Sequence, residues 1–274
     1  MSTVSNSTIA PKKKKILMLH GHAQSDKVFS SKTGGLRKTL NKLGYELYYP
    51  CAPTEIVPCD FPENLDIAST FNTTSGTNMY TWLLRDPITQ YEQIPEITKD
   101  YLYNYILENG PFHGIIGFSQ GSGYGGLLST NINELLNLTE LEQSPLNFFV
   151  NFSGYRMKTP ELQKYYSNDI LNIPSLHVLG ELDSVVEESR VMSLYDACPE
   201  DKRTLLKHPG GHFVPNSKSF VTKVANWLQV VDGGISEQQK EIINKDETST
   251  SNETSNKPML DDDLLDIIDG LGKI

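Results

Sequence analysis

HGIIGFSQG at residues 113–121 is the most informative segment of this 274-residue chain, because it joins an apolar strand to a helix through a G-x-S-x-G turn. On so tight a turn the backbone of Ser119 is strained and its hydroxyl projects above the sheet. Gly117 and Gly121 are small enough to avoid collision. The helix behind the turn offers unpaired N–H groups to a developing oxyanion. The segment predicts a nucleophilic serine at position 119; an ordinary glycine-rich turn is the alternative.

A nucleophilic serine needs a base and an acid that orients the base, and in this architecture they follow in the order Ser, acid, His. Asp183 comes just after the apolar strand SLHVLG, and His212 comes just after the strand TLLKH. Both therefore fall at the sheet edge that carries Ser119. Glu181 and His208 are the neighbouring alternatives. We expect Glu181 to be a solvated loop acid and His208, which precedes a proline, to end its strand.

The same turn suggests where an oxyanion would be bound. The N–H of Gln120 follows the nucleophile and is one predicted donor. The other is predicted to be the N–H of His22, because the early strand ILML ends in the loop His20-Gly21-His22. The two imidazoles are only two residues apart and have no acid nearby, which makes a poor metal site, so no metal is expected.

Short apolar runs alternate with helical patterns through the body of the chain. This alternation predicts the α/β class, with a mostly parallel sheet, right-handed crossovers and helices on both faces. The predicted strands cover residues 15–20, 46–49, 114–118, 146–152, 175–179 and 203–207. The predicted helices cover residues 35–43, 96–108, 120–130, 187–198 and 217–231.

Residues 53–95 interrupt this alternation and are predicted to form an insertion within the catalytic domain. The segment is rich in Pro, Asn, Thr and Gly, with scattered aromatic side chains, and a loop of this length in a compact domain is usually functional. Tyr80 and Trp82 are candidates for a substrate pocket or a lid. The alternative is that they simply pack the loop onto the body.

The two ends of the chain differ in composition from the body. Residues 1–14 are polar and end in lysines, and they are predicted to be a disordered arm before a catalytic domain at 15–235. Residues 236–274 are predicted to be an acidic, mostly disordered tail. Within it, residues 259–271 (MLDDDLLDIIDGL) have the pattern of a short amphipathic helix. That segment is either a solvated tail or a peptide that docks on a partner protein.

Composition excludes several classes of protein. The net charge of −10 gives no electrostatic basis for binding nucleic acid, which needs clustered Lys and Arg. No apolar run approaches the 18 residues of a membrane span. Cys51, Cys59 and Cys198 are too few for a framework of paired disulfides and show no CxxC spacing. A reduced protein of the cytoplasm, or of the nucleus, is expected.

With these residues in place, the chain resembles the fungal family of serine hydrolases, α/β-hydrolases related to an animal ovarian-tumour-associated hydrolase. The resemblance covers about residues 15–230. It is carried, in order, by LHGHAQS, VFSSKTGGLRK, the segment 50–53, GPFHGIIGFSQGS, FSGY, GELDSVV and HPGGHFVPN. It implies one catalytic domain of the α/β-hydrolase fold, a Ser119–Asp183–His212 triad and carboxylic ester hydrolysis without a cofactor.

Two features depart from the family pattern. Residues 184–187 read Ser-Val-Val-Glu where the family tends to have Val-Pro, so the loop that orients Asp183 is expected to be shaped differently. The acidic tail lies outside the resemblance.

The sequence therefore predicts a serine esterase that acts on a small-molecule substrate, a neutral and partly apolar acyl ester. A thioesterase, lipase or peptidase using the same triad is the first alternative. A catalytically idle α/β-hydrolase that serves as a binding module is the second.

Overall fold

The computed structural model describes residues 13–56, 78–166 and 171–233. Most of the predicted N-terminal arm, residues 57–77 of the insertion and the acidic tail with its 259–271 segment lie outside these ranges. None of the described helices combines the length and apolar character needed to cross a bilayer.

A six-stranded sheet forms the centre of the molecule, with strand order β2-β1-β7-β8-β9-β10. Every described pairing in it is parallel, so the prediction of a parallel sheet is confirmed. Its strands are β1 (Lys14–Leu19), β2 (Tyr45–Tyr48), β7 (Gly114–Phe118), β8 (Phe148–Phe152), β9 (Ser175–Gly180) and β10 (Arg203–His208).

Helices cover both faces of the sheet, and β1 shows why. Ile16 and Met18 point to one face, where they join a core with α1, α2 and α6. Leu17 and Leu19 point to the other face and join α3, α4 and α5. Because successive side chains in a strand alternate between faces, a continuous apolar run builds two cores at once. The helices are α1 (Asp26–Lys32), α2 (Gly34–Lys42), α3 (Glu96–Asn109), α4 (Ser119–Leu136), α5 (Glu188–Tyr195) and α6 (Lys218–Gly233).

The described parts of the insertion contain short strands that the sequence analysis did not predict. β3 (Thr54–Ile56) pairs antiparallel with β4 (Met79–Thr81), and β5 (Leu84–Arg85) pairs with β6 (Glu92–Gln93). A further bridge between Tyr80 and Gln24 places β4 beside the loop that follows β1.

The parallel sheet positions the candidate site. Ser119 follows β7, Asp183 follows β9, His212 follows β10 and His22 follows β1. In a parallel sheet all strands end at the same edge, so these four residues come from loops at one edge.

Candidate active site

The turn at Ser119 has the strained geometry that its sequence predicts. Phe118 is extended (φ −127°), and Ser119 has a positive φ of 53° at the first position of α4. A Cβ on Gly117 would lie 2.5 Å from the Cα of Ser122, and a Cβ on Gly121 would collide with the carbonyl oxygens at the end of β1. A side chain at either glycine would therefore disrupt the turn that presents the hydroxyl.

Ser119, His212 and Asp183 lie in one hydrogen-bonded row. The Oγ of Ser119 is 2.9 Å from the Nε2 of His212. The Nδ1 of the same ring is 2.7 Å from the Oδ2 of Asp183. The ring of Phe118 packs against the imidazole at 4.8 Å between centroids, and the side chains of His212 and Asp183 are both buried. The imidazole is therefore held from three sides.

The carboxylate of Asp183 is supported by the loop that follows it. Its Oδ1 accepts hydrogen bonds from the N–H groups of Val185 and Val186, both at 2.9 Å. Burial raises the pKa of Asp183, but the hydrogen bond with His212 and the two backbone donors outweigh it, so the net pKa is lowered. Asp183 is thus ionised at neutral pH, even though the residues after it lack the Val-Pro of the family pattern.

The two alternative residues occupy other positions. Glu181 is exposed. His208 ends β10, and its Nδ1 accepts a hydrogen bond from the N–H of Gly210 at 3.2 Å while its ring packs against Phe213 and Phe220. Burial lowers the pKa of His208. His208 thus supports the loop that carries His212.

The loop after β1 brings His22 beside Gln120, with 3.4 Å between His22 Nδ1 and the side-chain Nε2 of Gln120. Burial, and then the charge of Arg85, lower the pKa of His22 to about 4, so its ring is neutral at pH 7. The two residues whose N–H groups are the predicted oxyanion donors are therefore in contact through their side chains.

Both ring nitrogens of His20 form hydrogen bonds with backbone groups. Its Nδ1 hydrogen-bonds the carbonyl of Gly21 at 2.8 Å, and its Nε2 accepts from the N–H of Ala52 at 3.0 Å. With both nitrogens engaged and a pKa lowered by burial to about 4, His20 is a neutral core histidine. No group of three potential metal ligands occurs in the ranges that the structure describes.

The two aromatic residues proposed for a pocket differ in position. Trp82 is fully buried, packs against His20 and Tyr124, and donates its indole N–H to the carbonyl of His20 at 2.9 Å. Because the side chain of Trp82 has no exposed surface, it lines no water-accessible cavity. Trp82 instead packs the insertion onto the body of the fold. Tyr80 is only partly buried and packs at the edge of the same core.

Two polar features of the site were missed by the sequence analysis. The side-chain amide of Gln120 bonds to residues 81–83, and the hydroxyl of Thr81 lies between Gln120 and His22. Gln120 had been considered only for its backbone N–H. Thr81 is 39 residues away in sequence and belongs to no motif, so no sequence signal pointed to it.

Comparison with known proteins identifies the family of the chain. A family model described as "Serine hydrolase (FSH1)" matches residues 8–224, most of the chain. The chain belongs to this family of serine hydrolases.

Two relatives of this serine hydrolase align with it over nearly their whole lengths. Family of serine hydrolases 3 from Saccharomyces cerevisiae is 51% identical over 269 residues, covering 96% of this chain and 99% of the relative. Esterase OVCA2 from Danio rerio is 33% identical, with 78% and 96% covered. Only about eleven residues fall outside the yeast alignment, so this alignment extends into the acidic tail, whereas the family model ends at residue 224.

Solved structures identify the fold. Acyl-protein thioesterase 2 from Zea mays superposes with a TM-score of 0.51 at 19% identity, covering 81% of this chain and 96% of that one. An uncharacterized protein from Bacillus cereus gives 0.52 at 16% identity, covering 86% and 64%. The serine hydrolase has the α/β-hydrolase fold that the sequence predicted.

Proposed function

We propose that the chain hydrolyses carboxylic esters with Ser119 as nucleophile, His212 as general base and Asp183 as the residue that orients the base. The observation that carries this proposal is the row of two hydrogen bonds, 2.9 Å from Ser119 Oγ to His212 Nε2 and 2.7 Å from His212 Nδ1 to Asp183 Oδ2. A nucleophile, a base and an orienting acid in this order are what acyl transfer requires.

The chemistry follows from the atoms that face each other. Ser119 Oγ attacks the acyl carbonyl while its proton moves to Nε2 of His212. Asp183 accepts a hydrogen bond from the Nδ1–H of the ring, which keeps Nε2 free to receive a proton and stabilises the imidazolium that forms. His212 then returns the proton to the leaving alcohol. Water, activated by the same ring, cleaves the acyl-enzyme and frees Ser119.

The N–H groups of Gln120 and His22 are proposed to bind the oxyanion of the tetrahedral intermediate. The first comes from the N-terminus of α4, where backbone donors have no intrahelical acceptor and the helix dipole favours negative charge. Donors fixed in this way stabilise the developing negative charge far more in a buried site than they would in water.

We propose a neutral, partly apolar acyl ester as the substrate. Leu182, Val185 and Phe213 are exposed and lie within two residues of Asp183 or His212 in sequence, so apolar side chains are available beside the site. The overall negative charge weakly disfavours polyanionic substrates. A relative named an esterase supports the same class. Thioester, lipid ester and peptide substrates remain the alternatives on this triad, and a cytoplasmic location stays a prediction.

A series of p-nitrophenyl esters of increasing acyl length tests this proposal. We expect turnover with an optimum at one chain length, because a partly apolar site gains binding energy with each methylene until the acyl chain outgrows it. Ser119→Ala is the control and should reduce kcat by several orders of magnitude with the fold retained. Activity that is equally feeble at every length, or unchanged in Ser119→Ala, would contradict the proposal.

A further inference from the structure

Residues 80–83 form a bridging segment between the two loops that carry the proposed oxyanion donors. On one side the segment is tied to the loop after β1. The indole of Trp82 donates to the carbonyl of His20, and the hydroxyl of Thr81 lies 3.0 Å from Nδ1 of His22.

On its other side, the bridging segment is tied to the nucleophile turn by the side chain of Gln120. The Oε1 of Gln120 accepts from the N–H groups of Trp82 at 3.0 Å and Leu83 at 3.4 Å. It also lies 2.9 Å from the Thr81 hydroxyl, whose single proton faces both this oxygen and the carbonyl of Leu83 at 2.7 Å. Its Nε2 donates to the carbonyl of Leu83 at 3.2 Å. One amide thus uses both its acceptor and its donor to hold three consecutive residues.

These hydrogen bonds are shielded from water, because Gln120, Thr81, Trp82 and Leu83 are all buried. A buried donor or acceptor that loses its partner finds no water to replace it, so the bonded arrangement is strongly preferred over a shifted one. The bridging segment therefore helps to fix the spacing between the nucleophile turn and the His22 loop, which also touch each other directly.

We propose that the side chain of Gln120 is a positioning residue that, through residues 80–83, holds the His22 loop and the nucleophile turn at the separation that the oxyanion requires. This inference rests on the proposed function, because the oxyanion exists only if Ser119 attacks an acyl carbonyl. It assigns this part of the insertion to the support of the oxyanion site. Loosening the support should weaken transition-state stabilisation more than substrate binding.

Gln120→Met tests the inference, since Met has a similar length and no group that can replace the amide. We expect kcat to fall about 10- to 100-fold, while KM stays within about threefold of the wild-type value. This decrease in kcat is no larger than the one caused by removing a whole oxyanion donor. The factor should be the same for short and long acyl esters, because the oxyanion is common to all of them.

Gln143→Met is the matched control. Gln143 is also a fully buried amide that holds backbone, accepting from the N–H of Phe112 and donating to its carbonyl, both at 2.8 Å. Phe112 precedes β7, at the opposite edge of the sheet from Ser119. We expect this variant to lose stability without a change in kcat, which separates positioning from general destabilisation.

Thr81→Val provides a second variant in case Gln120→Met does not fold. It removes one hydroxyl with little change in volume, and we expect kcat to fall roughly threefold or more at nearly constant KM. In the double variant the two losses should be less than multiplicative, because both act through the same segment.

The outcomes are distinguishable. If the folded wild type hydrolyses esters and folded Thr81→Val and Gln120→Met keep its kcat, this inference is wrong and the proposed function stands. The inference would also be overturned if the variants kept the wild-type kcat and their KM, relative to wild type, rose with acyl length. That result would assign residues 80–83 to substrate binding. A wild type that hydrolyses no ester would contradict the proposed function, and this inference with it.

Discussion

Asp183 uses its two carboxylate oxygens for different purposes. Oδ1 accepts from the N–H groups of Val185 and Val186, which fixes the rotation of the side chain, and Oδ2 is left to face His212. The imidazole therefore meets an acceptor at Nδ1 and is held with its proton there. The tautomer of the base follows from the shape of the loop after Asp183.

Asp183→Asn should lower kcat by about 10³- to 10⁴-fold with little loss of stability. The amide oxygen of Asn would keep the two backbone hydrogen bonds and so turn its NH₂ group toward Nδ1 of His212. That would force the imidazole proton onto Nε2, where it blocks uptake of the proton of Ser119. Ester kinetics and thermal unfolding measure the two effects.

Glu181→Gln is the matched control, because Glu181 is an exposed acid two residues away from Asp183. This variant should keep the wild-type kcat. A similar loss of kcat in both variants would argue against this role for Asp183.

The order of Ser119, Asp183 and His212 in the sequence, and their places at strand ends, were enough to nominate them. The contacts of Gln120 with Thr81 could not be predicted in the same way. They depend on where an irregular insertion folds back, and side-chain hydrogen bonds between distant loops leave no periodic pattern. Trp82 shows the same limit, because an aromatic residue in a loop has no sequence feature that separates core packing from a pocket.

At the scale of elements, the turn between β7 and α4 is fixed by its glycines. Gly121→Ala should abolish activity and destabilise the fold by about 3 kcal/mol or more, since its Cβ would collide with the backbone carbonyls of Leu19 and His20, which cannot yield without moving β1. Gly34→Ala at the start of α2 is the control, because a Cβ there meets nothing within 4 Å, and it should be neutral or slightly stabilising. Chemical denaturation of the two variants measures the difference. Equal stabilities would contradict this account of the turn.

The elements that the sequence predicted well are those with long apolar runs. The six strands of the sheet begin and end within about two residues of their predicted limits, because burial on both faces gives a strong signal. Helix α1 was missed. It has only seven residues and a mostly polar sequence, and its clearest local signal is the Ser25 cap that accepts from the N–H of Val28. The two-residue strands β5 and β6 are too short to show any alternation.

At the scale of the whole molecule, Asp232 ties helix α6 to the sheet edge opposite the site. Its carboxylate bonds to Tyr45 and His113, each at 2.5 Å, and to Lys14 at 2.9 Å. These partners lie at or just before the starts of β2, β7 and β1. Burial raises the pKa of Asp232, but the hydrogen bonds from Tyr45, His113 and Lys14 outweigh it and lower the net pKa.

Asp232→Asn should reduce the free energy of unfolding by about 1–3 kcal/mol at pH 7, because three donors then share a weaker acceptor. The pKa of Asp232 lies below the unfolded value of about 3.9, so its carboxylate stabilises the fold fully above that pH and loses this effect as the pH falls through the lowered pKa. The difference between wild type and variant should thus be present from about pH 5 to 7 and shrink below about pH 4.

Urea denaturation across this pH range measures the difference. Asp201→Asn, on an exposed turn, is the control and should change the free energy by less than about 0.5 kcal/mol. No difference for Asp232→Asn between about pH 5 and 7, or a difference that persists unchanged well below about pH 4, would show that the carboxylate does not stabilise the fold.

Labelling with a fluorophosphonate tests the central claim, that His212 and Asp183 activate Ser119, most directly. The probe reacts with an activated serine, and mass spectrometry of the digested protein locates the adduct. We expect one adduct, on the peptide that contains Ser119, absent in Ser119→Ala and formed far more slowly in His212→Asn. An unlabelled but folded wild type, or equal labelling in Ser119→Ala, would contradict the account.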